Sequence, residues 1–197
     1  FQVVVDMPEG TPVERTNRVL NALSDHLMTV EEVEHVQTYA ATSAPINFNG
    51  LVRQYYLRRE AHMGDIQVNL IDKHERERQS HEIAMAVRAP LQAIGERFEA
   101  NVKIVEVPPG PPVRAPLVAE IYGLEDAGQR RVAQRVAEVF RSTADVVDVD
   151  TTDEAPQEKL VLDVDRQRAA RLGVSQAAVA AAVNTVVRGG DASYLHE

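Results

Sequence analysis

Residues 158–190 read EKLVLDVDRQRAARLGVSQAAVAAAVNTVVRGG. Lys159 to Val164 alternates: Leu160, Leu162 and Val164 share one side, Val161 and Asp163 the other. That period of two predicts a half-buried strand. Arg166 to Leu172 is a charged helical turn, and Gly173 behind it can take the left-handed conformation that ends a helix. Ser175 stands at an N-cap position before Gln176 to Val187, where Val179, Val183 and Val186 recur at helical spacing. Gly189 and Gly190 stop that helix.

Upstream lies a repeat of strand, helix and strand. It occurs at 2–39, 65–107 and 117–149. In the first unit, Val3, Val5 and Met7 alternate with Gln2, Val4 and Asp6. Thr11 to Glu14 reads as a capping box with proline at the first helical position. Thr16, Leu20, Leu23, Leu27 and Val30 then give a helix of about five turns. Val33 to Tyr39 is the second strand. Ala40 to Gly50 is a loop by composition, and the β-formers of Leu51 to Leu57 predict a short strand or hairpin arm.

The second unit opens with a strand at Asp65 to Ile71. Lys73 to Gln79 is a charge run that reads as a solvated turn. Ser80 is the expected cap of a helix carrying Ile83, Val87, Leu91, Ile94 and Phe98, with a kink or break expected at Pro90. Asn101 to Val107 closes the unit. Two tandem units make a βαββαβ ferredoxin-like plait, an antiparallel sheet with both helices on one face.

Pro108 to Pro116 holds five of the ten prolines and predicts a stiff interdomain crossing. A third unit follows: a strand at Leu117 to Tyr122, a helix at Glu125 to Arg141 and a strand at Val146 to Val149. The acidic loop Asp150 to Gln157 leads into 158–190. The expected class is therefore α+β. Residues 1–107 form a complete plait, 108–116 the crossing and 117–157 half of a second plait. Residues 158–197 form a short β/α segment.

The order D-x-D, basic turn, L-G-V-S, alanine-rich helix and G-G resembles the porter-to-docking segment in the second periplasmic loop of RND (resistance-nodulation-division) efflux permeases, of the acriflavine-resistance type. VVVDMPEGTPVERT at the start resembles the opening of the same loop. The resemblance implies that 1–107 is the first C-terminal porter subdomain, 117–157 the first half of the second, and 158–197 the start of a docking domain. It implies a longer protein whose other parts hold the membrane helices. That protein would sit in a bacterial inner membrane with this portion in the periplasm. It would be a proton-driven homotrimer exporting small molecules through an adaptor and an outer-membrane channel.

Composition narrows the field independently. Thirty acidic against 21 basic residues give a net charge of −9, which disfavours nucleic acid and anionic membrane surfaces. Zero cysteines exclude disulfides and thiolate metal sites. No apolar run approaches the ~20 residues that span a bilayer. No phosphate loop, HExxH or nucleophile elbow is present, so no catalytic residue and no cofactor is expected. The six histidines form no i,i+4 pair, and the carboxylates around 145–165 match no calcium loop, so no metal site is expected either.

Strand parity divides the sheet. Val3, Val5, Ile66, Val68, Val102 and Ile104 should meet the helices; Gln2, Val4, Gln67, Asn69, Lys103 and Val105 fall on the other face. The resemblance implies a substrate cleft walled by Gln2, Val4, Phe48, Gln67, Asn69, Lys103 and Val105, with Asp150 and Thr152 from the second subdomain. A gating loop would hold Pro45, Asn47, Phe48 and Gly50. This loop has one aromatic and one glycine, where multidrug members have several, and the lining is polar. Three alternatives stay open: a metal-ion exporter of the same family, a ferredoxin-like ligand-sensing module, and a plait-fold hydrolase using Asn49 and Arg53.

Overall fold

In a computed structural model, all residues are described except 108, 109, 112, 114, 154–159 and 194–197. The chain divides into two compact units, Phe1–Ala155 and Pro156–Glu197.

The first unit contains β1 (Gln2–Asp6), α1 (Val13–Leu27), β2 (Val33–Ala40), α2 (Phe48–Val52), β3 (Met63–Leu70), α3 (Ser80–Glu96), β4 (Asn101–Val105) and α4 (Asp126–Ser142). The four strands pair antiparallel in the order β2-β3-β1-β4. That is the connectivity of a βαββαβ plait, with an inserted excursion between β2 and β3. All six side chains that parity assigns to the helix side are buried, none more than 4% exposed. They share one core with Val19, Leu20, Leu23 and Leu27 of α1 and Val87 and Leu91 of α3. Both helices therefore lie on the same sheet face.

Close packing has used up the space at one glycine. A Cβ on Gly95 would stand 2.4 Å from Val102 Cγ2 and 3.0 Å from the Ala100 carbonyl. Gly95→Ala is thus expected to destabilise the plait by about 1–3 kcal/mol through overpacking, read as a lower urea midpoint at unchanged slope.

Several local expectations are corrected. The capping box at 11–14 does not form. Thr11 Oγ1 donates back to the Pro8 carbonyl at 2.6 Å, and Pro12 occupies the N-cap without a side-chain bond. Helix α1 runs for 15 residues and stops before Val30, which packs against the core from the following turn. At α3 the cap is Gln79 rather than Ser80: Gln79 and Glu82 form a reciprocal capping box. Pro90 does not break α3. The carbonyl it leaves unbonded, four residues back, belongs to exposed Ala86, where water can satisfy it.

Leu51 to Leu57 is not a strand. Asn47 Oδ1 accepts from Gly50 N–H at 2.7 Å and starts the short helix α2. Gln54, at φ 60°, then turns the chain into a 3₁₀ turn over Tyr55–Leu57. Local capping overrides the β-propensity of Val52, Tyr55 and Tyr56.

The strands expected at 117–122, 146–149 and 160–164 are absent; residue 159 lies outside the described residues. Helix α4 is present, but only Ala137 on it is buried, while Val132 and Val139 are about half exposed or more. Isolated strand-forming segments without partners cannot satisfy their backbone groups as a sheet.

The second unit contains α5 (Arg166–Arg171) and α6 (Gln176–Arg188). Gly173 adopts φ 68°, as the helix stop requires, and Ser175 Oγ accepts from Ala178 N–H at 3.1 Å.

Candidate functional site

The sheet face away from α1 and α3 carries the polar chemistry. Register places Gln2 opposite Gln67 and Val105, and Val4 opposite Asp65 and Lys103. Asp6 lies two residues beyond Val4 on the same face. The excursion from Ala41 to His62 closes over the middle of this face. Its main tie is Arg58. Nε donates to Asp65 Oδ1 at 2.9 Å and Nη1 to Asp6 Oδ1 at 2.7 Å. Nη2 donates to the carbonyls of Val5 and Gly64 at 2.9 and 3.2 Å. A planar guanidinium suits such a fork of acceptors; an ammonium does not. The Ala44 N–H adds a bond to Asp65 Oδ2 at 3.4 Å.

Lys103 continues the charge pattern. Its Nζ pairs with Asp6 Oδ2 at 2.7 Å and also with Asp150. Two residues earlier in the chain, Asp148 pairs with Arg88 at 2.5 Å, and Arg88 also donates to the Ile104 carbonyl at 3.3 Å. Segment 146–152 is therefore held against the plait by two ion pairs and not by a β ladder. Asp148 takes a left-handed φ of 56° there. A cleft of about 310 Å³ opens beside it, lined by Gln92, Asn101, Arg141, Val146, Asp148 and Val149 among others.

Burial and pairing compete at each charge. Burial pushes the Asp65 carboxyl up, and Arg58 does not fully offset it. Burial also acts to raise Asp6, but Arg58 and Lys103 together outweigh it and hold Asp6 below the usual range. Arg58 and Lys103 are pulled down by burial and raised further by their carboxylates, ending above their ordinary values.

The expected site residues separate on this framework. Gln2, Gln67 and Asn69 are half-buried on the open face. Val4 is 1% exposed and Val105 8%, so neither presents surface to a ligand in this conformation. Pro45 and Asn47 are exposed, Phe48 is 70% exposed, and Gly50 is buried. Asp150 and Thr152 are exposed. Of these, the structure joins Lys103 directly to Asp150. Arg58, Asp6, Asp65, Arg88 and Asp148 were not anticipated. Parity carried a signal for two of them: carboxylates at Asp6 and Asp65, on the central strands of a partly covered face, demand a nearby cation.

Among the described residues, no group of three or more histidines and carboxylates is arranged to hold a metal ion. No described helix is long and apolar enough to cross a membrane.

The fold is similar to solved structures of a heavy metal efflux pump in two crystal forms. One superposes at TM-score 0.67 and the other at 0.63, each at 23% identity over 93% of this chain. The chain spans 19% and 18% of those pumps, about a fifth of their length. No curated protein matches the sequence significantly. The sequence itself matches the AcrB/AcrD/AcrF family over residues 1–197, and the chain belongs to that family of RND efflux permeases.

Proposed function

We propose that this chain is the periplasmic substrate-cleft and gating portion of a proton-driven RND transporter of an inner membrane. In this reading, 1–107 and 117–157 are neighbouring porter subdomains, 108–116 is the crossing between them, and 158–197 begins a docking region. The complete protein works as a homotrimer and passes small molecules to an adaptor and an outer-membrane channel. The observation that carries the reading is the family match along the whole chain. The geometry supports it: a polar sheet face, an excursion bearing exposed Phe48, and a segment at 146–152 held by ion pairs that can open. The cleft residues are Gln2, Gln67, Asn69, Lys103, Asp150 and Thr152, with Pro45, Asn47, Phe48 and Gly50 as the gate.

This chain has no cysteine, so crosslinking needs only the cysteines elsewhere in the transporter to be replaced. Gln92→Cys on α3 and Val147→Cys on the 146–152 segment both line the cleft beside that segment, so a bridge between them pins the segment to the plait. Bridging them with a short bismaleimide in the complete transporter is expected to stop efflux, while either single variant labelled alone keeps it. Full efflux from a fully bridged protein would overturn the reading.

The likeness to a heavy metal efflux pump supports metal-ion export as a second reading. The polar lining of Gln2, Gln67, Asn69 and Lys103 supports a polar cargo in either case. Cellular accumulation of copper, zinc and cobalt, compared with that of organic dyes, separates the two.

A further inference from the structure

Two pieces of chain are tied to the open face of the plait: the excursion 41–62 through Arg58, and the segment 146–152 through Asp150, while its Asp148 reaches α3. Among the described residues, an alternating row of charges runs from one to the other. Asp65 holds Arg58, Arg58 holds Asp6 Oδ1, Asp6 Oδ2 holds Lys103, and Lys103 holds Asp150. The row starts on β3, takes in the end of the excursion, crosses β1 and β4, and ends on the 146–152 segment. Asp6 is its shared centre. Each of its carboxylate oxygens serves a different cation, and each cation secures a different cover.

We infer that docking of the 146–152 segment and docking of the excursion are coupled through Asp6. With the segment in place, three carboxylates face two cations. When Asp150 departs, Lys103 keeps only Asp6, and its charge is no longer neutralised from the far side. Arg58 then shares one carboxylate with a bare ammonium, and like charges at that range repel. The hold of Arg58 on Asp6 weakens, and with it the excursion that Arg58 ties down. Release of one cover therefore loosens the other, and by reciprocity a loosened excursion weakens the Lys103–Asp150 contact. Lys103 and Arg58 are each only about a tenth exposed, so water screens this row poorly. The Arg88–Asp148 pair lies outside the row and anchors the same segment without entering the charge balance at Asp6. In the transporter reading, opening the cleft would free the gate. That consequence rests on the reading, whereas the coupling itself belongs to the folded chain.

Amide hydrogen exchange on the whole chain tests it without transport. The Ala44 amide, bonded across to Asp65 on β3, reports docking of the excursion, and the Gly50, Leu51 and Arg53 amides report its internal order. Asp150→Asn is expected to speed their exchange about two- to fivefold, the span of a partly exposed ion pair. In a Lys103→Met background, which cuts the row at the edge strand, Asp150→Asn is expected to add nothing. Asp6→Asn gives the same test at the centre if it folds. Unchanged exchange in Asp150→Asn would overturn the inference. So would the same acceleration persisting in Lys103→Met, because the signal would then travel by another route. Failure here leaves the crosslinking result standing, and failure of crosslinking leaves this coupling standing.

Discussion

Arg58→Leu is expected to cost the plait about 3–5 kcal/mol, the range for removing one partner of a buried ion pair. The guanidinium is 11% exposed and donates to two carboxylates and two backbone carbonyls. Its loss leaves Asp65, 1% exposed, with one long amide contact, and leaves Asp6 to Lys103 alone. The pH dependence between pH 7 and pH 5 should steepen as well. In the parent, Asp6 is depressed in the folded state. Its contribution is present above the unfolded value near ~3.9 and is lost as pH falls through its folded pKa. Asp65 is raised and works the other way, favouring the folded state as it takes up a proton. Without Arg58, burial dominates at Asp65 and the raised behaviour grows. Arg58→Leu should then gain stability as pH falls from 7 toward the unfolded carboxylate range. Urea unfolding at pH 7 and pH 5 reads both effects. The double variant Arg58→Leu/Asp65→Leu removes the orphaned charge together with its cation. It should be more stable at pH 7 than Arg58→Leu alone. If the double variant is worse by the sum of both changes, Asp65 is not stabilised by Arg58.

Leu20→Ala is expected to cost about 2–5 kcal/mol, the usual toll of a fully buried leucine. Leu20 is 0% exposed and sits directly on Gly64 of β3, where an added Cβ would meet its side-chain carbons at 2.9–3.2 Å. This is a close approach of helix to strand that only glycine permits, at a backbone φ any residue could adopt. The two positions are therefore coupled in volume. Gly64→Ala alone should destabilise by overpacking, about 1–3 kcal/mol. In the Leu20→Ala background the same methyl enters the vacated space, and its cost should fall to near zero or reverse. Urea midpoints of the four proteins give the coupling directly. Additive losses would mean that Leu20 does not pack on Gly64.

How far the sequence could be read depended on the range of the interactions involved. The four strands of the first plait, α1 and α3 came from periodicity, because one face of each is buried and the core selects apolar residues at that spacing. The inward set from Val3 to Ile104 followed for the same reason. The short helix α2 was missed because its start rests on one side-chain contact, Asn47 to Gly50, which outweighs the propensities of the residues after it. The strand patterns at 117–122, 146–149 and 160–164 are real in the sequence but make no sheet in the described residues. Alternation declares a residue's readiness to pair and does not supply a partner.

The ionic site shows the same division. Asp6 and Asp65 could be placed on one face by parity. The chain 53-RQYYLRRE-60 offers three arginines, and nothing local says that the middle one, Arg58, turns back onto β1 and β3. Local pattern, composition and motif order were enough for the layered α+β class, for the sides of the strands, and for the family. Which charges meet, which cover lies on the open face, and that Val4 is sealed beneath it came only with the folded chain. Those contacts join residues some 50 positions apart, and burial gives them strength that no neighbouring residue encodes.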